Sequence, residues 1–198
     1  MKLRAGVING PKNPQFSFST AITGEIRDRD AELLVDYKNE KGETGVLLGV
    51  NARPLFEGHG KGNGIAFTLI PENPIIAFQK FHFNEKHNWI YLHKNMRVYA
   101  NVDMWDDEGM GFRIHSVPGD TVSLQNIDVE IRRIRLAELS SVLPYFPEIT
   151  GLFSAEAHYV QTEKDLQLSA ELSIDELTYE RQRIGDVTLG ATWLPGEQ

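Results

Sequence analysis

Three runs near the C-terminal end of the chain repeat one alternating phrase: GLFSAEAHYV from Gly151 to Val160, LQLSAELSI from Leu166 to Ile174 and, more loosely, VTLGATWL from Val187 to Leu194. Ser154-Ala155-Glu156 returns fifteen residues later as Ser169-Ala170-Glu171. The apolar members are Phe153, Ala155, Ala157 and Tyr159 in the first copy, and Leu168, Ala170, Leu172 and Ile174 in the second. Val187, Leu189, Ala191 and Trp193 make the third. A period of two is that of a strand with one dry face and one wet face, since successive side chains point to opposite sides. A helix would scatter the same residues around its axis. The chain therefore commits three consecutive segments to strands whose apolar flanks must be covered by something.

The remainder reads the same way. Strand candidates recur at Gln15 to Ile26, Glu32 to Tyr37, Val46 to Ala52, Ile65 to Ile70, Phe78 to Phe83, Trp89 to Leu92, Arg97 to Met104, Phe112 to His115 and Thr121 to Leu136. Turn signals separate them: NEKGETG, PENP, NEKHN, DDEG and VPGD. The fold class expected is all-β and antiparallel. In Thr121–Leu136 the apolar phase is odd at Ile127, Val129 and Ile131 but even at Ile134 and Leu136, which predicts a β-bulge near Arg132-Arg133. Directly after it, Leu136, Leu139 and Leu143 fall at helical spacing before Pro144 and Pro147. This predicts one short helix over Ala137–Leu143, lying across an edge or open end of the sheet.

A chain of 198 residues buries an ordinary core without staples, and it has no cysteine to make them. Thiolate metal sites and cysteine nucleophiles are excluded with the disulfides. A net charge of −8 argues against nucleic acid as a partner, the only concentrated basic run being IRRIRL at Ile131 to Leu136. No run approaches the ~20 apolar residues of a spanning helix, and MKLRAGVING has a charged start with no apolar stretch behind it. The chain opens in a strand-like segment and stops at LPGEQ just after another strand, as a piece of a longer protein would.

Candidate chemistry is thin. GHGKGNG, Gly58 to Gly64, lacks the Ser or Thr after Lys61 that a phosphate loop needs and runs into a strand, so it reads as a hairpin tip. DMWDDEG, Asp103 to Gly109, gathers four carboxylates, but not at calcium-loop spacing, and reads as a turn. His59, His82, His87, His93, His115 and His158 include no metal-binding pair, and His82 and His158 fall on the polar side of their strands. Trp89, Tyr91, Trp105 and Trp193 sit in alternating runs and are expected to fill a core or line an apolar groove; the other role open to them is a sugar-stacking platform. The expectation is a protein that is not an enzyme, with no catalytic residues, metal or cofactor.

The segment LPYFPEITGLFSAEAHYVQTEKDLQLSAELSIDELTYERQRIGDVTLGATW, Leu143 to Trp193, resembles the repeat of the TamB family, the AsmA-like translocation and assembly proteins of the Gram-negative envelope that are also described as bridge-like lipid transfer proteins. The shared features are a Leu-Pro start, a Gly opening a strand, the SAEL strand and an IGD turn. FHFNEKHNWIYLHKNMRVYANVDM, GMGFRIHS and LQNIDVEIRRIRLAEL are similar to the Bacteroidetes version. The likeness covers Pro74 to Trp193, so residues 74–198 form the repeat-like segment. Residues 1–73 share only its strand pattern and continue the same sheet.

The resemblance implies an elongated antiparallel sheet curled into a half-pipe, or β-taco, with an apolar concave groove. It also implies a periplasmic location in a parent protein anchored in the inner membrane, a role in outer-membrane assembly and phospholipid transport, and a partner of the BamA/TamA type. The twelve apolar residues of the three copies would then line the groove and meet phospholipid acyl chains, small Ala155, Ala157, Ala170 and Ala191 leaving room between bulkier walls. Cut edges predict self-association of the fragment through an exposed strand. Two other outcomes stay open: the same stripe closing a core against a second sheet, as in a glycan-binding or adhesive β-sandwich, and a hydrolase cleft, for which no convergent carboxylates can be singled out.

Overall fold

The computed structural model of the protein describes residues 2–9, 18–55, 63–117, 120, 122–142 and 147–194. Among them thirteen strands belong to one antiparallel sheet. They are β1 (Lys2–Asn9), β2 (Phe18–Arg27), β3 (Asp30–Asn39), β4 (Thr44–Leu55), β5 (Gly64–Ile76), β6 (Gln79–Lys80), β7 (His82–His93), β8 (Val98–Trp105), β9 (Gly111–Ser116), β10 (Gln125–Arg135), β11 (Ile149–Gln161), β12 (Leu166–Tyr179) and β13 (Gln182–Trp193), with one helix, α1 (Leu136–Val142), between β10 and β11. Each strand lies beside its successor, except that the two-residue β6 returns onto β5 and β7 continues the path. Among the described residues β1 and β13 are not paired with each other, so the sheet is open and not a barrel. Twelve strands side by side extend on the order of 50 Å along the sheet at the usual spacing.

The bulge lies where the change of phase puts it. Ile131 faces Ala155 and Ile134 faces Phe153, so three steps along β10 match two along β11, and both isoleucines stay on the same side. Arg133 takes up the slack in a left-handed conformation at φ 51° and donates its N–H to Ser154 Oγ at 3.1 Å. The helix begins one residue earlier than expected, at Leu136, and Leu143 lies outside the described residues. Gly151, the strand-opening glycine of the repeat, sits in a register shift between Thr150 and Leu152 with φ 137°, a conformation other residues rarely adopt.

Four local readings change. Residues Phe78–Phe83 are not one strand: Ala77 and Phe78 have φ of 51° and 63°, the chain reverses there, and only Gln79–Lys80 pair back onto β5. PENP is not a turn between strands but a bulge within β5, since Gly49 faces Ile70 while Leu47 faces Ile75. Prolines cannot donate to a ladder, and here none is asked of them. Likewise NEKHN is an irregularity inside β7, between Phe83 and Asn88. The strand expected from Thr121 begins only at Gln125, because Asp120 Oδ1 holds the N–H groups of Val122 and Ser123, both at 2.9 Å, in a turn.

Three of the buried apolar side chains form one cluster. Phe81, Met104 and Met110 pack together, with Ile76, Phe83, Phe112 and Ile134 against them. The reversal that carries Phe81 thus covers one end of the apolar face of β8, β9 and β10. Polar contacts fasten it: Gln79 donates to Glu138 at 3.2 Å, Arg135 donates to the same Glu138 oxygen at 2.8 Å, and Arg135 also pairs with Glu108 in the β8–β9 turn. That turn is built by Asp106, buried, whose Oδ1 accepts from the backbone of Glu108 and Met110. Asp106, Asp107 and Glu108 of DMWDDEG therefore belong to a turn, while Asp103 lies in β8.

Candidate functional site: one apolar face across the sheet

Register places all twelve repeat residues on one face. Phe153 faces Ile174, Ala155 faces Leu172, Ala157 faces Ala170 and Tyr159 faces Leu168. On the next strand Val187 faces Ile174, Leu189 faces Leu172, Ala191 faces Ala170 and Trp193 faces Leu168. The offset of the copies thus becomes lateral alignment. Ala157, Ala170 and Ala191 form one row across three strands, flanked by the bulkier Tyr159–Leu168–Trp193 row on one side and the Leu172–Leu189 pair on the other. Ala155, also small, falls in that second row. The alanine row runs across the strands, along the length of the sheet.

The face continues beyond the repeats. β10 sets Ile127, Val129 and Ile131 opposite Tyr159, Ala157 and Ala155. β9 follows with Ile114 and Phe112, and β8 with Val102 and Met104. Further along, Ile90, Phe67, Ala52, Ala31 and Ile26 make another crossing row. The cover over this face is uneven. On β8 Ala100, Val102 and Met104 are buried, whereas on β12 and β13 Leu168, Leu189 and Trp193 stand exposed, Leu189 at 59% and Trp193 at 66%. Isolated exposed apolar residues are ordinary; several in register on one face are not.

In the covered part the face holds a cavity of about 230 Å³ lined by Val50, Phe67, Leu69, Asn88, Ile90 and Val102. It sits where β5 and β7 part: they pair only from Gly64–Phe67 to Ile90–His93. Past Phe67 the side chain of Asn88 bridges the gap, accepting from Leu69 N and donating to Leu69 O, both at 2.9 Å. A single amide thus supplies the donor and acceptor a neighbouring strand would have offered. Gln125 does the same for β8, accepting from Val98 N at 3.1 Å and donating to Met96 O at 2.8 Å. Neither substitution is visible from alternation, since both residues read as polar interruptions.

The opposite face is polar and partly aromatic. Asp103, Arg113, Glu130, Glu156 and Glu171 fall in one row, so three glutamates face one another directly. Glu130 is paired with Arg132 at 2.7 Å, and His158 Nδ1 lies 2.5 Å from Asp128 Oδ1. A trough of about 510 Å³ runs between Asp128, Glu130, Glu156, His158, Glu171 and Thr192. Trp89 and Tyr91 stack at 4.5 Å, His82 sits edge-on to Trp105, and Arg97 lies 4.8 Å above the ring of Tyr99. Of Trp89, Tyr91, Trp105 and Trp193, expected in a core or an apolar groove, only Trp193 lies on the apolar face. Trp89, Tyr91 and Trp105 alternate with Asn88, Ile90 and Met104 and occupy the other face. His59 and most of GHGKGNG lie outside the described residues.

Among the described residues no group of three or more metal-ligating side chains converges, and no helix is long and apolar enough to cross a membrane. No family model, curated protein or solved structure matches the chain.

Proposed function

We propose that this chain is a periplasmic segment of a TamB-like protein that spans the cell envelope from an inner-membrane anchor in its parent. In this reading it acts in outer-membrane assembly and phospholipid transport. The same reading has the sheet curl toward its apolar side, so that the groove formed there carries acyl chains along its length while head groups stay in solvent. The observation that carries this reading is the apolar face of β11–β13, half-buried on β11 and exposed at Leu168, Leu189 and Trp193, with Ala157, Ala170 and Ala191 in one row between bulkier neighbours. A tail of roughly 15 methylenes loses on the order of 12 kcal/mol on entering water, at about 0.8 kcal/mol per CH₂. A continuous apolar strip removes most of that barrier. The groove lining comprises Phe153, Ala155, Ala157, Tyr159, Leu168, Ala170, Leu172, Ile174, Val187, Leu189, Ala191 and Trp193.

Photo-crosslinking from Leu172 or Trp193 in cells, with mass spectrometry of co-purified lipid, tests the reading. Capture of phospholipid is expected from both positions; failure at every apolar position of the repeats sinks transport. The partner of BamA/TamA type belongs to the same proposal. So does self-association of the chain through β13, whose outer edge has no strand beside it among the described residues. Light scattering over a range of concentrations tests the latter.

A second reading draws on the other face. The stacked Trp89 and Tyr91 pair, with Tyr99 close by, offers aromatic surface of the kind sugars stack on. It favours a glycan-binding or adhesive module, although one built on a single open sheet. Glycan-array binding lost in Trp89→Ala would support it.

A further inference from the structure

We propose that the cavity between β4, β5, β7 and β8 is a separate binding site that seats the end of one unbranched hydrocarbon chain. It rests on the lipid reading for the source of that chain, but its position, walls and mouth are independent of the repeats.

The walls decide what enters. Val50, Phe67, Leu69, Ile90 and Val102 are apolar, and the one polar member, Asn88, has a donor and an acceptor already engaged by the backbone of Leu69. A water in such a space finds too few partners to replace its hydrogen bonds, and cavities of ~150 Å³ with similar walls stay dry and take up benzene or xenon. At about 230 Å³ this one is larger and, unlike those closed cavities, opens to the surface. A charged or hydroxylated ligand would leave its polar groups unpaired.

The mouth decides the shape. Leu33, opposite Val50 on the neighbouring strand, is 47% exposed, and Ile65, two residues before Phe67 on β5, is 39% exposed. Both lie on the same face as the cavity, and the exposed Ile26 continues that surface toward β2. A ligand with its tip between Val50 and Val102 therefore has an apolar surface along which the rest of its length lies. A compact ligand would leave that surface wet; a long chain covers both.

The split between β5 and β7 accounts for the space. Had the two strands stayed paired past Phe67, Leu69 and Asn88 would have closed together as ladder neighbours. The amide bridge holds them at side-chain length instead.

The test is a methyl-resolved NMR titration of the whole chain with laurate below its micelle concentration, and separately with xenon. Both probes are expected to shift the methyl signals of Val50, Leu69, Ile90 and Val102, saturably with laurate, and laurate is expected to reduce the xenon response. Val50→Phe, which fills the cavity, is expected to weaken laurate at these signals at least tenfold while leaving any response at Leu172 and Leu189 in place. Should that variant not fold, Val50→Ile is read for a smaller loss. No shift at the four cavity methyls, or a titration unchanged by filling, overturns the proposal. Shifts confined to Leu172 and Leu189 sink the cavity site and leave the repeat groove standing; shifts confined to the cavity do the reverse.

Discussion

β8 and β13 carry the same pattern and meet opposite fates. Val98, Ala100, Val102 and Met104 alternate along one strand as Val187, Leu189, Ala191 and Trp193 do along the other. Yet Val102 is 0% exposed, whereas Leu189 and Trp193 are more than half exposed. The difference lies in whether the chain comes back over the strand. The reversal after β5 brings Phe81 down onto Met104, and α1 with its Glu138 bonds fastens that end; nothing among the described residues returns over β13. Alternation fixes which side seeks cover, and the connections decide which part receives it.

The sharpest way to break this contrast is to remove one large apolar side chain from each region. Phe81→Ala is expected to cost about 3–5 kcal/mol, because it empties a closed cluster, whereas Leu189→Ala should change stability by about 0.5 kcal/mol or less. Urea denaturation measures both, and equal losses would show that β13 is covered in solution. Next in size, Asn88→Leu leaves the N–H and C=O of Leu69 without their bridge and is expected to cost about 2 kcal/mol. Hydrogen exchange should then quicken at Leu69 while β11 and β12 keep their protection.

A smaller effect of opposite sign is expected on the polar side of the bare region. Glu156 faces Glu130 and Glu171 directly, so Glu156→Gln should stabilise by roughly 0.2–1 kcal/mol at low salt, the gain fading as salt is added. The covered region has a titrating counterpart in Asp120. Its carboxylate accepts from Asn126 Nδ2 at 2.6 Å and from the N–H groups of Val122 and Ser123, and these bonds hold its pKa well below the ordinary carboxylate range. A depressed pKa contributes stability that is present above the unfolded value and lost as pH falls through the folded one. The deficit of Asp120→Asn relative to the parent should therefore be full at pH 7 and shrink progressively below about pH 4, as thermal melts at several pH values will show. This is the slightest of the expected changes, since the group is exposed and the amide keeps one acceptor.

Much of the architecture was legible because it rests on local pattern. The three copies announce their own lateral alignment, and the parity change between Ile131 and Ile134 locates the bulge to within a residue. The helix is found by Leu136 and Leu139 at helical spacing, misplaced by one residue because Leu136 fits both the strand phase and the helix phase. What was not legible depends on contacts distant in sequence. Phe78–Phe83 alternates well enough to pass for a strand, and only the left-handed Ala77 and Phe78 turn it into a lid over Met104. Asn88 and Gln125 look like solvent-facing residues until the ladder they complete is seen. Aromatic character puts Trp89 and Tyr91 in a core or an apolar groove, whereas their parity with Asn88 and Ile90 puts them on the face opposite the apolar one. The candidate cavity left no signal at all, being a property of where two strands separate.

That separation has a mechanical corollary. β11 and β12 are stitched by twelve facing residue pairs, but β5 and β7 by four, with one asparagine holding the next rung. A pull applied across the strands, from one margin of the sheet to the other, would unzip the molecule at that seam before any other, leaving two smaller folded panels joined by the loop that carries Phe81.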